Sequence, residues 1–412
     1  MQEHLEPVVG IDIGTTTVRC VIGVLKPEKQ QIDLIGLGEA PNTGFRKGSV
    51  INISDTAQAV DQAIGFAERM SGVQVTSATV NINGDHIKGL DSRGTVAISG
   101  QEVTQEDLIR VEDAATLLQL PQHYEILSVF PRSYIVDGNG DIKDPIGMSG
   151  TRLEVDAHVV TISAPALKNL EKVMETVNTH INRLSVGSLG AAQSGLSREQ
   201  RENGVAVADI GSATTNVIVI EEGDVLHVGV VPIGSMHVTN DLAIGLRTDI
   251  KVAEAVKRNY KYLSKGSKDR PKHIKVVVSQ KEYIFPTKDI ELVITARLEE
   301  LFEAVDKELS KVHRSHKLPG GVTLSGGGAL LAGIEDVARD TLGLSARIAV
   351  PGNIEGLKEK VSRADYATVA GLMLLDMHKD ETTTYGGKWL GGHLERGAAS
   401  AKSLFGRIFG SN

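Results

Sequence analysis

Along most of this chain, apolar residues with a period of two give way to apolar residues with a period near 3.6. That alternation predicts an α/β protein. Positions 8–24 and 32–40 read as paired strands around a tight hairpin. A helix is expected over 53–70, where Ala57, Val60, Ala63, Ile64 and Ala67 form one stripe, followed by a buried strand over 75–82. From 84 to about 160 the pattern changes. Strands near 94–99 and 124–136 flank a helix over 104–118, which opens on the capping-box-like Thr104-Gln105-Glu106-Asp107. This stretch reads as a small α+β unit inserted into a larger one. A strand over 159–163, a helix over 164–181 and a strand from Leu184 resume the first half. In the second half, 241–306 is helix-rich, and 334–341 is a helix with Ile334, Val337, Ala338 and Leu342 on one face. The last periodic segment, 366–377, is a helix whose Ala367, Ala370 and Gly371 permit close packing.

Two segments of this pattern are nearly the same. Gly10-Ile11-Asp12-Ile13-Gly14-Thr15-Thr16-Thr17 and Val207-Ala208-Asp209-Ile210-Gly211-Ser212-Ala213-Thr214-Thr215 each give an apolar strand ending in Asp, a glycine turn and a run of hydroxyls. Their places in two half-chains suggest a pair of phosphate-gripping hairpins facing each other across a cleft. Gly14 and Gly211 let the backbone turn sharply and approach a ligand. Successive N–H groups form an anion-binding nest, to which Thr15, Thr16, Thr214 and Thr215 add hydroxyl donors. Carboxylates beside phosphates imply a cation between them, and Mg²⁺, which accepts indirect contacts through its waters, suits Asp12 and Asp209. A third segment, Val322-Thr323-Leu324-Ser325-Gly326-Gly327-Gly328-Ala329-Leu330, again gives strand, glycine turn and helix start. Its three glycines offer a side-chain-free surface for a purine ring. Each segment alone also fits an ordinary turn; the three in this order match the actin/Hsp70/sugar-kinase ATPase superfamily.

Composition narrows the partners. The 412 residues carry a net charge of −8, which gives no general reason to expect nucleic-acid binding. The one cysteine, Cys20, lies in an apolar strand pattern and excludes an internal disulfide framework. No signal peptide is read at residues 1–7, and no apolar run reaches transmembrane length, so a cytosolic protein is expected. A basic run over 257–275 includes Arg258, Lys261, Lys265, Lys268, Arg270 and Lys272, interleaved with Tyr260 and Tyr262. It reads as a solvated hairpin or as a surface for an acidic peptide. After Met377 the pattern breaks into a Gly- and Thr-rich linker. Beyond it, Ala401, Leu404, Phe405, Ile408 and Phe409 share one helical side, with Lys402, Ser403 and Arg407 elsewhere. This is the pattern of a short interfacial membrane anchor; a terminal helix docked on its own domain is the alternative.

Five further stretches carry a resemblance. They are Gly44-Phe45-Arg46-Lys47-Gly48-Ser49-Val50-Ile51-Asn52-Ile53, Ala67-Glu68-Arg69-Met70-Ser71-Gly72, Gly84-Asp85-His86-Ile87, Ile233-Gly234-Ser235-Met236-His237-Val238-Thr239-Asn240-Asp241-Leu242-Ala243 and Ala253-Glu254-Ala255-Val256-Lys257. Over about 8–377 the chain resembles the FtsA family of actin-like bacterial division proteins. That resemblance implies an ATP-binding protein that polymerises on the cytoplasmic membrane and anchors the FtsZ ring to it. It implies subdomain 1A at 1–83, continued by 163–194 and 362–378, with an inserted subdomain 1C at 84–162. Subdomain 2A is expected at 195–228, continued by 306–361, and 2B at 229–305. A linker at 379–394 and a membrane-targeting helix at 395–412 complete the chain. The implied nucleotide set is Gly14, Thr15, Thr16, Thr17, Arg19, Gly211, Ser212, Ala213, Thr214, Thr215, Asn216, Gly234, Glu254, Lys257, Gly326, Gly327, Gly328 and Leu330. Within it, Glu254 and Lys257 approach the ribose and purine. Arg297, Lys261 and Lys265 fall where the family binds the acidic FtsZ tail. Subdomain 1C would contact other division proteins and the next protomer.

The chain departs from the family at the hairpins. Ser212, Ala213 and Asn216 stand where two glycines and an Asp are usual, so slow or absent hydrolysis is expected and no catalytic residue is assigned. Thr17 stands where a Lys is usual, and Arg19, two residues on along the same strand face, is the expected substitute. Two other readings remain open at this point. One is a pilus-assembly scaffold of the PilM type. The other is a small-molecule kinase of the same superfamily, for which Gln193, Glu154 and Asp156 supply no evident base.

Overall fold

The computed structural model describes residues 7–26, 31–261, 271–352 and 354–377. Two similar sheets form the two halves. The first runs in the spatial order His180–Val186, Ser77–Ile82, Pro7–Ile13, Thr17–Lys26, Gln31–Pro41, Ile354–Gly356. The second runs Asp224–Val231, Thr215–Glu221, Val205–Ile210, Val322–Ser325, Ala346–Ile348. In each, the strand that ends in the motif Asp pairs antiparallel with the strand after the hairpin and parallel with a later strand on its other side. Every residue of Val205–Ile210 is buried, which is why this strand reads as a continuous apolar run rather than an alternation.

Local chemistry sets the element ends. The helix Ile53–Ser71 starts at Asn52, whose side chain accepts from the Asp55 N–H, and stops at Gly72 in the left-handed region at φ 72°. Its predicted stripe is buried. The inserted unit has a four-stranded sheet in the order Ile87–Ala97, Arg152–Ser163, Tyr124–Val136, Asn139–Ile142, covered by the helix Gln105–Ala115. That helix opens on a true capping box between Thr104 and Asp107.

Two expectations need correction. The helix expected over 164–181 is Ala164–Thr176, and Asn178 at φ 53° turns the chain into the strand His180–Val186. The apolar residues after Asn178 serve a strand paired with Ser77–Ile82. The stretch 241–306 is helix-rich as expected, but its hairpin, read over 257–275, lies at His273–Val278 and Lys281–Pro286, between the helices Ile250–Asn259 and Thr287–Lys311. Consecutive valines at 276–278, then Ser279 and Gln280 at positive φ, favour strands and a tight turn.

The halves meet through two helices, Gly187–Gly195 against the second sheet and Ala367–Asp376 against the first. They touch backbone to backbone: a Cβ on Gly371 would lie 1.7 Å from the Gly190 carbonyl oxygen. Arg201 caps the first of these helices by donating to the Ala192 and Gln193 carbonyls at 3.1 and 3.0 Å. In an ordinary helix interior, Gly→Ala stabilises by about 0.5–1 kcal/mol. Here Gly371→Ala is expected to reverse that sign and cost about 1–3 kcal/mol through overpacking. Urea unfolding followed by circular dichroism reads the sign directly, and a stabilised variant would contradict the backbone contact.

Candidate functional site

Both motif hairpins close in the same way. Gly14 N–H donates to the Thr17 carbonyl at 3.0 Å and Gly211 N–H to the Thr214 carbonyl at 2.9 Å. Neither glycine uses the left-handed region; a Cβ at either would instead press on that carbonyl, at 2.8 and 3.0 Å. Asn42 supports the first turn by donating from Nδ2 to the Gly14 carbonyl at 2.9 Å. Ser212 and Ala213 also avoid positive φ, so their side chains introduce no backbone strain into the second turn.

The hairpins bring Asp12 and Asp209 near enough for their charges to interact. Asp12 is half-buried. Burial pushes its carboxyl up to about 7, opposed by the Arg19 charge and reinforced by Asp209. Asn81 fixes its orientation. Asn81 Oδ1 accepts from the Ile13 N–H at 2.7 Å, so its Nδ2 must face Asp12 Oδ1, at 2.6 Å. Burial also raises Asp209, against hydrogen bonds from Ser325, Thr368 and Asn216. Asn216 lies directly across the ladder from Asp209. An Asp there would set a second carboxylate against the first; the amide donates instead.

The triple-glycine segment is more committed than the sequence suggested. Gly326 sits at φ 81°, where a Cβ would meet Asp209 Oδ1 at 2.7 Å, and a Cβ on Gly328 would meet the Ile210 side chain at 2.3 Å. Only Gly327 of the three faces open space. These glycines therefore bring the turn onto the second hairpin, and Leu330, after them, is exposed. On the other side of that hairpin, Gly234 fits under Ser212, where a Cβ would lie 2.6 Å from the Ser212 carbonyl oxygen. The helix Ser235–Gly245 starts there, its first N–H groups donating to the Gly211 and Ser212 carbonyls at 2.9 and 2.8 Å. Lys257 Nζ donates to the Ser235 carbonyl and to Thr239 Oγ1 at 3.3 and 2.8 Å, and pairs with Glu254 at 2.7 Å. Burial would raise Glu254, but bonds from Lys257, Thr239 and Arg258 outweigh it and hold the carboxyl at about 2.

Residues 211–216, Gly234, Glu254, Lys257 and 326–328 thus form one connected rim, to which the hairpin Gly14–Thr17 is related through the charge interaction of Asp12 with Asp209. Arg19 lies across the ladder from Asp12, but its guanidinium is engaged elsewhere. It pairs with Asp365 at 3.1 Å and Glu39 at 3.4 Å and stacks on Tyr366 at 5.0 Å. Arg297 is paired with Asp241 and Glu300. Lys261 is exposed. Lys265, Lys402, Leu404, Phe405, Arg407, Ile408 and Phe409 lie outside the described residues. Sequence reading missed Asn81, Asp365, Ser325 and Thr368. The signal for Asn81 was available: an amide inside the apolar strand Ser77–Ile82 needs a buried partner.

Two like sheets, a hairpin on each and a glycine turn packed on the second define an actin-like ATPase fold. Among solved structures, the chain is similar to one from the PilM-PilN type IV pilus biogenesis complex (TM-score 0.65, 16% identity, 90% of this chain and 98% of that one). It is also similar to MreB5 of Spiroplasma citri bound to ADP (TM-score 0.54, 16% identity, 91% and 98%). Residues 84–161 match the SHS2 domain inserted in FtsA, and 206–371 match the cell division protein FtsA. Cell division protein FtsA of Pseudomonas aeruginosa is 34% identical over 374 residues, covering 90% of this chain and 89% of the relative. That of Bacillus subtilis is 34% identical over 369 residues, covering 89% and 82%. The chain belongs to the FtsA family of cell division proteins.

The raised Asp12 carboxyl has a measurable consequence. Its proton is held more tightly in the folded state than in the unfolded chain, so the carboxyl costs stability as pH rises from about 4 to about 7, levelling off above. Asp12→Asn removes that cost. The ligand-free variant is expected to exceed the parent in unfolding free energy by an amount that grows across this window, to the order of 2–4 kcal/mol. Urea midpoints at pH 5 and pH 8 test it; a pH-independent difference would show that Asp12 titrates normally.

Proposed function

We propose that this chain is a nucleotide-binding, actin-like division scaffold that polymerises on the cytoplasmic face of the inner membrane and anchors the FtsZ ring there, at the septum. The observation that carries this reading is the connected rim, to which the other phosphate-type hairpin is related through Asp12 and Asp209. Two desolvated carboxylates, near enough for the charge of Asp209 to act on Asp12, are a donor set a divalent cation would stabilise, and they fit Mg²⁺ held through water. When bound, Mg²⁺ would supply positive charge between these carboxylates and the phosphates of ATP. The hairpin amides and the hydroxyls of Thr15, Thr16, Thr17, Thr214 and Thr215 would bind phosphate oxygens, and Glu254 and Lys257 would meet the sugar and base. MreB5, of the same fold, is described bound to ADP. With ATP held by both hairpins, the halves close into a polymer-competent form; a filament is known for the fold neighbour MamK.

The partner surfaces follow the same reading. Region 229–305 takes the acidic tail of FtsZ, using Lys261, Lys265 and Arg297. Because Arg297 is already paired with Asp241 and Glu300, a tail carboxylate must displace one of them. The inserted unit meets other division proteins. No helix among the described residues is long and apolar enough to cross a membrane, and membrane contact is assigned to the amphipathic pattern of 395–412 beyond the 379–394 linker. Single tails bind weakly, and a polymer makes attachment firm by raising effective concentration.

The test is co-sedimentation with anionic liposomes, with and without Mg-ATP, of the full chain and of a chain ending at Gly392. The full chain is expected to pellet, more so with Mg-ATP, and the shortened chain to stay in solution. Equal pelleting of both would remove the membrane anchor and leave a soluble or pilus-type scaffold.

A further inference from the structure

The inserted unit leaves the first half between Ile82 and Ala164, yet it is also fastened to the second half. Its sheet packs on the strand Asp224–Val231, the edge of the second sheet. His158, 1% exposed, is the centre of the contact. The Val228 N–H donates to His158 Nε2 at 3.0 Å. That nitrogen must therefore carry a lone pair, so the ring proton sits on Nδ1 and faces Asp91 Oδ1 at 2.9 Å. Arg132 pairs with Asp91 at 2.7 Å and donates to the Leu226 carbonyl. Nearer the surface, Lys143 pairs with Asp224 at 2.6 Å and Glu222 at 3.1 Å.

Two glycines make room for these contacts. A Cβ on Gly89 would meet His158 Nε2 at 2.4 Å and the Val228 carbonyl oxygen at 2.5 Å; one on Gly229 would meet Glu308 Oε2 at 2.2 Å. Glu308 accepts from or pairs with His227 Nε2 at 2.8 Å, and the His227 ring lies 5.1 Å from that of His158. Glu308 belongs to the long helix Thr287–Lys311, which also carries Arg297. Apolar packing continues through the same junction, where Phe130, Val160 and Ile162 of the inserted unit share a core with Val225 and Val228.

We propose that the inserted unit is a strap tying the second half to the first, latched where His158 accepts the Val228 N–H. Any rotation of one half against the other then loads the latch, and the inserted unit shifts with it. Through His227 and Glu308 the same latch reaches the helix that bears Arg297. This inference does not depend on nucleotide binding.

Cys20 is buried, so spin labels on introduced cysteines report cleanly. Gln62→Cys with Lys307→Cys spans the two halves, and Gln101→Cys with Lys307→Cys spans the inserted unit and the second half; all three positions are exposed. Without nucleotide, both pairs are expected to give single narrow distance distributions. His158→Ala and Gly89→Ala should broaden both, and amide exchange over 224–231 should quicken by about tenfold. Lys143→Ala, which removes surface ion pairs and leaves the core intact, should act in the same direction to a smaller extent, and it decides the matter if a core variant fails to fold. Distributions and exchange unchanged by Gly89→Ala and Lys143→Ala would overturn the latch. A Gln62–Lys307 distribution that stays narrow while Gln101–Lys307 broadens would overturn the strap.

Discussion

The desolvation of two carboxylates organises the centre of this molecule. Asp12 and Asp209 end equivalent strands of two sheets, and the fold brings these strand ends together. Nearly everything around them limits the cost of doing so. Asn81 and Asn216 donate neutral hydrogen bonds, Ser325 and Thr368 add hydroxyl donors, and Arg19 adds a nearby positive charge that is itself held by Asp365. An Asp at position 216 would add a third carboxylate; the Asn216 amide donates to Asp209 instead.

The framework was legible because periodicity and turn chemistry agreed. The stripe of Ala57, Val60, Ala63, Ile64 and Ala67, the capping box at Thr104 and the two Asp-Ile-Gly hairpins were each written locally, and each forms as expected. The start of the strand His180–Val186, expected only from Leu184, and the place of the hairpin, expected over 257–275 and found at 273–286, were not. Their apolar residues look helical or neutral in isolation, and their strand character comes from partners distant in sequence or from turn residues that tolerate positive φ.

The site was legible as motifs and illegible as commitments. Residues at the right spacing do reach one rim, but spacing could not reveal that Gly326 and Gly328 serve packing on Ile210, that Arg19 is bound to Asp365, or that Arg297 is closed by Asp241 and Glu300. Side-chain availability depends on the competing partners a fold supplies, and those partners lie up to 346 residues away in sequence. The inserted unit illustrates the same limit. Its helix near Thr104 and its strand over 124–136 were readable, while its attachment to the second half rests on a ring nitrogen and two missing Cβ atoms.

The contact between the helices Gly187–Gly195 and Ala367–Asp376 bears on how the two halves move. Interlocking side chains give most helix pairs a few preferred angles, because ridges must leave one set of grooves before entering another. At Gly190 and Gly371 peptide lies on peptide, with the Leu372 side chain packed beside Gly190 and Ser194 Oγ donating to the Ala367 carbonyl at 2.6 Å. The pair is a close-fitted pivot: the two helices stay pinned where they touch, so a rotation of one half against the other is smallest here and largest far away, at the rim and at the edge where the inserted unit is attached.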